Sequence, residues 1–312
     1  MHLTRRHLLA AAVAAPLVLP ALAALPLPAI DPIRPPGVPR LIPGLAAYSL
    51  RQFFLGELQR RVAPEPKEKG IDLFGFIDYC ASLGCAATEL TGYFLPRDLG
   101  GDVLQRLRRH AFLRGVAISG TAIGNNFLLP EGDARDQEIA EARRWIDRAV
   151  LLGAPHIRIF AGRMPKDGDR AALRTPLVAA LKDCAAYAGE RGILLGLENH
   201  GAMTEDAATL IGLVEAVGSP WLGINLDSGN YVTADPYDDF ARSVPYAVNV
   251  QVKVELNRKG SDALERTDVP RVAKILRDGG YQGFVTLEYE AKEDPWTAIP
   301  LAFAELRAAC LA

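Results

Sequence analysis

Histidine and cysteine are scarce in this chain: its 312 residues include five of the first and four of the second. The cysteines, Cys80, Cys85, Cys184 and Cys310, lack the paired spacing of a zinc knuckle and are too few for a disulfide scaffold. They read as small buried apolar residues. An excess of basic charge is also missing. The net charge is −2, and removal of residues 1–23 would take away Arg5 and Arg6 but no acid, leaving −4. No field is left to attract nucleic acid or anionic lipid. Neither a GxGxxG nor a P-loop follows the first strand signal, so a nucleotide site has no support. Apolar material, by contrast, is ample: 49% of residues are hydrophobic and 23% charged, an ordinary globular composition with enough for a large core.

The first residues read as an address. Residues 1–23 carry a short basic start and then an uncharged Ala- and Leu-rich run with small residues at Ala21 and Ala23, the layout of a signal peptide cut after Ala23. The pair Arg5-Arg6 before His7-Leu8-Leu9 resembles a twin-arginine export signal, which implies a folded passenger delivered to the periplasm. Pro16 and Pro20 interrupt the run, so no stable membrane span is expected after cleavage. Residues 24–44 are proline-rich and read as a tether, which places the start of the folded domain at Leu45 and its end at residue 312.

From Leu45 one theme recurs eight times, a short apolar or β-branched run followed by a polar loop and a longer stretch of helical periodicity. The strand signals are Leu45–Ser49, Ala87–Leu90, Ala117–Ile123, His156–Phe160, Leu194–Glu198, Gly223–Asp227, Ala247–Lys253 and Phe284–Glu288. Segments such as Gln137–Leu152 and Leu173–Arg191 repeat apolar residues at three- and four-residue intervals, as helices packing one face on a sheet do. Gly84, Gly115, Gly153, Gly192 and Gly218 follow helical stretches, where a left-handed cap is wanted. Eightfold alternation predicts an α/β fold, a single-domain (β/α)8 barrel, with an open doubly wound sheet as the competing arrangement.

In such a barrel the chemistry lies at the C-terminal ends of the strands. Here those ends form a set: Glu198-Asn199-His200, Asp227-Ser228-Gly229-Asn230, Gln251-Val252-Lys253 and Glu288-Tyr289-Glu290. Three carboxylates and a carboxamide converging on one mouth would repel unless a cation sat among them, and an all-oxygen set suits Mg or Mn better than zinc. Taken singly, each residue is as well explained by a solvated loop or an ion pair.

Four stretches, Gly192–His200, Gly223–Asn230, Val250–Lys253 and Gly280–Glu290, resemble the sugar phosphate isomerase/epimerase family. These are xylose-isomerase-like TIM barrels that also include hydroxypyruvate isomerases, ketose 3-epimerases and inosose dehydratases. The resemblance implies one divalent metal held by Glu198, Asp227, Gln251 and Glu288, with the two glutamates also acting as acid and base. Gln251 stands where most relatives carry a histidine in a His-x-Lys motif. An amide oxygen is harder and weaker than imidazole as a ligand, which favours Mg or Mn. After residue 23 only His110, His156 and His200 remain, too few for the multi-zinc endonuclease branch of the fold.

A substrate holding a carbonyl and a neighbouring hydroxyl against the metal would lose a proton to one of Glu198 and Glu288 and regain one from the other, giving epimerisation or isomerisation through an enediolate. The expected substrate is a free sugar or keto-sugar. Lys253 would stabilise developing negative charge, and His200, Asn230, Arg158 and Glu89 are candidate substrate contacts. Each has a plainer alternative, an ion pair or a loop role. Two other functions fit the same residues: a lyase or hydrolase that opens 3-keto-glycosides by elimination, and a carbohydrate-binding barrel without turnover. Nucleic acid is not an expected partner, and a homo-oligomer stays open.

Overall fold

A computed structural model describes residues 32–33, 36–54, 70–96 and 99–312. The signal segment, the cleavage point and ten of the 21 tether residues lie outside the described residues. In chain order the strands are β1 (Leu41–Ala46), β2 (Ala87–Thr91), β3 (Ala117–Ala122), β4 (His156–Ile159), β5 (Leu194–Glu198), β6 (Leu222–Asp227), β7 (Ala247–Val252), β8 (Glu255–Leu256), β9 (Glu265–Arg266) and β10 (Gly283–Leu287). All but β8 and β9 close into one barrel, in the order β1-β10-β7-β6-β5-β4-β3-β2. Every pairing around the barrel is parallel, whereas β8 and β9 make a small antiparallel ribbon beside it.

Between the strands run α1 (Leu73–Ser82), α2 (Gly101–Leu113), α3 (Asp133–Leu152), α4 (Arg170–Gly189), α5 (Ala207–Val217), α6 (Pro236–Ser243) and α7 (Val269–Asp278), with α8 (Pro295–Leu311) last. Six of the eight starts are capped by aspartates: Asp72, Asp169, Asp206, Asp235, Asp268 and Asp294 each accept from a backbone N–H of the first turn. Gly84, Gly115, Gly153, Gly192 and Gly218 all take positive φ, as the spacing requires. The single-domain barrel is thus as expected. Its first strand, however, begins at Leu41 and takes in residues 41–44 that the tether reading claimed. Pro43 and Gly44 disguise the strand, yet Pro43 still accepts from Ala86 N through its carbonyl.

Alternation along the strands separates two interiors. Leu45, Leu90, Ile157, Leu195, Leu197, Ile224, Leu226, Val250, Val252, Val285 and Leu287 are buried and, with the inner faces of the helices, belong to one continuous apolar core. Each such side chain contributes about 1.5–3 kcal/mol relative to exposure. The residues that point the other way are polar: Glu89, Arg158, Glu198, Asn225, Asp227, Asn249, Gln251 and Glu288 are all buried.

Candidate active site

Register sets the mouth. Glu198 at the end of β5 is paired with Asn225, and Asp227 at the end of β6 with Gln251 of β7, while Gln251 is in turn paired with Thr286 of β10. The chain then leaves each strand with its next side chains overhanging the opening. Asn199 fastens two of these ends together: its Nδ2 donates to the Asp227 carbonyl at 2.9 Å and its Oδ1 accepts from Asp227 N at 2.8 Å.

One cluster gathers around Lys253. Its Nζ lies 2.6 Å from Glu290 Oε2, 2.9 Å from Asn230 Oδ1 and 3.5 Å from Asp227 Oδ2. Burial alone would push this ammonium down, but the surrounding carboxylates of Asp227, Glu288, Glu290 and Glu198 outweigh it and raise its pKa well above the ordinary lysine value. Asn230 also donates through Nδ2 to Glu198 Oε1 at 2.7 Å, so its amide bridges Lys253 and Glu198. The second Glu198 oxygen lies 2.9 Å from Arg158 Nε, off the hydrogen-bond line, an attraction chiefly of charge. Arg158 is held by Tyr93 Oη at 3.1 Å, by the Ile123 carbonyl at 2.8 Å and by the ring of Phe160, 4.0 Å from its guanidinium carbon.

The two glutamates differ in what faces them. Burial raises Glu198, partly opposed by Arg158. Burial raises Glu288 too, well above the carboxylate range, and there the opposing charge is Lys253 while Asp227, Glu198 and Glu290 add to the rise. Glu290 goes the other way: burial favours its neutral form, but Lys253, Arg51 and His200 hold it below the ordinary value. His200 stands at the rim with its ring 4.8 Å from Phe160, and its pKa is lowered by burial and then by Lys253 and Arg158.

Glu89 and Gln251 belong to a different cluster. Glu89, 1% exposed, accepts from Gln251 Nε2 at 3.0 Å and from Asn249 Nδ2 at 3.3 Å. Asn225 Nδ2 donates to Gln251 Oε1 at 2.6 Å, and Asn249 Nδ2 donates to Asn225 Oδ1 at 2.8 Å, so the four residues form a ring. Burial pushes Glu89 up to about 7 against the pull of Arg158. Both of its oxygens are engaged inside the barrel, where the sequence reading had assigned it a substrate contact. Asn225 and Asn249 escaped that reading although each stands two residues before a residue it singled out, on the same strand face. Arg51, Tyr93 and Glu290 complete the mouth. Arg51 follows a single 3-10 turn and Tyr93 lies within another, segments too short to carry a periodic signal.

The donor set meets some of the requirements of a divalent cation. Asp227 is fully buried, and while its Oδ1 accepts from Gly229 N at 2.8 Å, its Oδ2 has no hydrogen-bond partner. Five carboxylates, of Glu89, Glu198, Asp227, Glu288 and Glu290, face three cationic side chains, those of Arg51, Arg158 and Lys253. An Asp227 oxygen met only by the Lys253 ammonium at 3.5 Å, together with hard oxygen donors, suits Mg or Mn. The side chains do not close round an ion as they stand: among the described residues no three His, Cys, Asp or Glu converge as a ready ligand set. A cation there would share Asp227 with Lys253 and Glu198 with Arg158.

A closed parallel barrel with buried charge at the C-terminal ends of its strands defines a (β/α)8 protein whose site is its mouth. The chain belongs to the xylose isomerase-like TIM barrel family, whose model matches residues 77–308. It is similar to a mouse (Mus musculus) protein named, provisionally, a hydroxypyruvate isomerase, with 28% identity over 172 residues. That match takes in 50% of this chain and 62% of the mouse protein, so this chain spans about three fifths of that relative. The human (Homo sapiens) protein of the same name is 25% identical over 219 residues, 62% of this chain and 76% of its own length. Among solved structures, D-psicose 3-epimerase from Clostridium cellulolyticum H10 superposes with a TM-score of 0.67 at 17% identity, over 86% of this chain and 96% of that one. A 3-keto-D-glucoside 4-epimerase from E. coli does so with a TM-score of 0.63 at 15% identity, over 86% of this chain and 100% of the other. At these identities the likeness is one of fold. No helix among the described residues is long and apolar enough to cross a membrane.

Proposed function

We propose that this chain is an isomerase or epimerase of a free sugar or keto-sugar, moving a proton at a carbon beside a carbonyl through an enediolate. One observation carries the reading: two buried glutamates, Glu198 and Glu288, face one partly buried ammonium, Lys253, and differ in their partners. Glu198 has Arg158 at 2.9 Å and the Asn230 amide at 2.7 Å, both favouring its ionised form. It is assigned as the base. Glu288, without a cation at that range, is assigned as the acid. The names of the mouse and human relatives and of the superposed epimerases support the same class.

One divalent cation, Mn or Mg, held by Glu198, Asp227, Gln251 and Glu288 would polarise the carbonyl and its neighbouring hydroxyl. Glu198 takes the proton from the carbon, and the electron pair moves onto the carbonyl oxygen. Lys253, aimed by Glu290 and Asn230, stabilises the negative charge that develops. Glu288 gives its proton to the opposite face of that carbon in an epimerisation; in an isomerisation it gives it to the former carbonyl carbon, while the neighbouring hydroxyl passes its proton to the former carbonyl oxygen and becomes the new carbonyl. With a leaving group β to the carbonyl the same pair would eliminate it. Export through Arg5-Arg6 to the periplasm is part of the proposal and favours an unphosphorylated substrate, since sugar phosphates are scarce there.

The test is proton exchange in D2O, after measuring bound metal. Purified protein would be offered D-fructose, hydroxypyruvate and a 3-keto-glucoside with Mn2+, and deuterium uptake followed by NMR. Exchange should fall by about 10²–10⁴-fold in Glu198→Gln and in Glu288→Gln. Uptake at the wild-type rate in both variants would overturn the assignment.

A further inference from the structure

The ring beneath the mouth answers a question that the amide at position 251 raises. An imidazole offers a metal only nitrogen, but a carboxamide has two ends of nearly equal size, one an oxygen that attracts a cation and the other an NH2 that repels it. Something must decide which end faces where. Glu89 accepts from Gln251 Nε2 at 3.0 Å, so the NH2 end of the amide is turned toward Glu89. Asn225 closes the other side: its Nδ2 donates to Gln251 Oε1 at 2.6 Å, and its own Oδ1 is held by Asn249 Nδ2 at 2.8 Å. Asn249 completes the circuit by donating to the second Glu89 oxygen at 3.3 Å. All four side chains are 1% exposed or less, so water does not replace a missing bond.

We infer that Glu89 is a positioning residue: through the Asn225–Asn249 ring it fixes the amide of Gln251 in the one orientation that makes its oxygen a ligand. The inference rests on the divalent-metal reading of the mouth and adds to it how an amide serves where a histidine is commoner. The Gln251 oxygen accepts one bond, from Asn225, and a carbonyl oxygen has two lone pairs, so one is left for a cation. Glu89 itself touches neither substrate nor metal in this scheme. Partners that orient a ligand in this way typically change metal affinity by about 10–100-fold when removed.

Two variants separate positioning from plain support of the fold. Glu89→Gln puts an amide, with an NH2 end that can donate to Gln251, in place of the carboxyl and lets the Gln251 amide turn. Glu89→Gln/Asn225→Asp rebuilds the ring with its polarity reversed: residue 89 now donates to the Gln251 oxygen and residue 225 accepts from its nitrogen. Each buried bond is restored, but the amide is turned round. The probe is Mn2+ alone, titrated at pH 8 into metal-stripped full-length protein and followed by EPR, with thermal midpoints measured beside it. Expected are a Mn2+ dissociation constant raised about 10–100-fold in the single variant, and a double variant whose melting recovers while its Mn2+ affinity does not. Unchanged affinity in Glu89→Gln, or recovery of affinity together with melting in the double variant, overturns the inference and leaves the metal reading standing. Wild-type protein that takes up no Mn2+ overturns both.

Discussion

His156 makes the sharpest test of how this barrel handles charge. It sits at the start of β4, fully buried, with neither ring nitrogen at hydrogen-bond geometry to a partner. Burial, and then the nearby Arg158, lower its pKa to about 3, while Asn225 and the Ser119 backbone favour the charged form only weakly. In the unfolded chain a histidine titrates near 6.5. The folded state therefore refuses a proton that the unfolded state accepts, and stability is complete above pH ~6.5 and declines as pH falls toward 3. Between pH 7.5 and 4.5 the unfolded imidazole gains its proton over about two pH units, so this one residue should cost about 3 kcal/mol. The buried glutamates act with the opposite sign. Glu89, Glu198 and Glu288 have raised pKa values, so the folded state takes up their protons first and gains stability over the same interval. A single profile mixes the two effects, and the difference between two proteins isolates one. The assay is urea unfolding of wild type and His156→Leu at both pH values. Wild type should lose about 3 kcal/mol more than the variant on acidification. Equal losses would refute the buried neutral imidazole.

Gly120 and Gly196 make room for that ring, since a Cβ on Gly120 would lie 2.2 Å from His156 Nδ1 and one on Gly196 would lie 3.0 Å from Nε2. Gly120→Ala should lower stability by about 1–3 kcal/mol in denaturant melts, and a second change, His156→Ala, should restore most of it. Lys253→Met removes a unit charge 3.5 Å from Asp227 Oδ2, where two charges at about 4 Å interact by roughly 4 kcal/mol at an effective dielectric of 20. Mn2+ should bind at least about tenfold more tightly to this variant while turnover falls, and unchanged affinity would show that ammonium and cation do not compete. Replacing Arg5 and Arg6 by lysine should hold the protein in the cytoplasm on cell fractionation. Normal export would rule out the twin-arginine route.

Much of the fold was legible because parallel strands and helices leave opposite periodicities. The glycines after the helices fell where left-handed caps are needed, and strand ends such as Leu197-Glu198 and Leu226-Asp227 changed from apolar to acidic at the barrel mouth. Pro43 and Gly44 hid the beginning of β1 because both residues ordinarily discourage a strand, and only the closed sheet, pairing them with Val285 and Thr286, overrides that local preference. The division of the polar residues into two clusters was not legible at all. Position along a strand shows that Asn249, Gln251 and Lys253 share a face. It does not show that Gln251 turns toward Asn225 while Lys253 reaches Glu290, because those partners are set by distances across the barrel.

That division locates where chemistry can occur. In the ring of Glu89, Gln251, Asn225 and Asn249 every link has a donor and an acceptor, and such a network is costly to disturb because each broken bond strands a buried polar group. It is built to stay still. Above it the balance is different: one Asp227 oxygen has only the Lys253 ammonium, at 3.5 Å, Glu288 is held far from its ordinary pKa by burial and like charge, and Lys253 is shared among several carboxylates. Groups so placed gain most from a proton, a cation or an oxyanion arriving. In the proposed reaction a satisfied layer under an unsatisfied one would let the upper layer exchange protons while the hydrogen bonds of the lower ring stay in place.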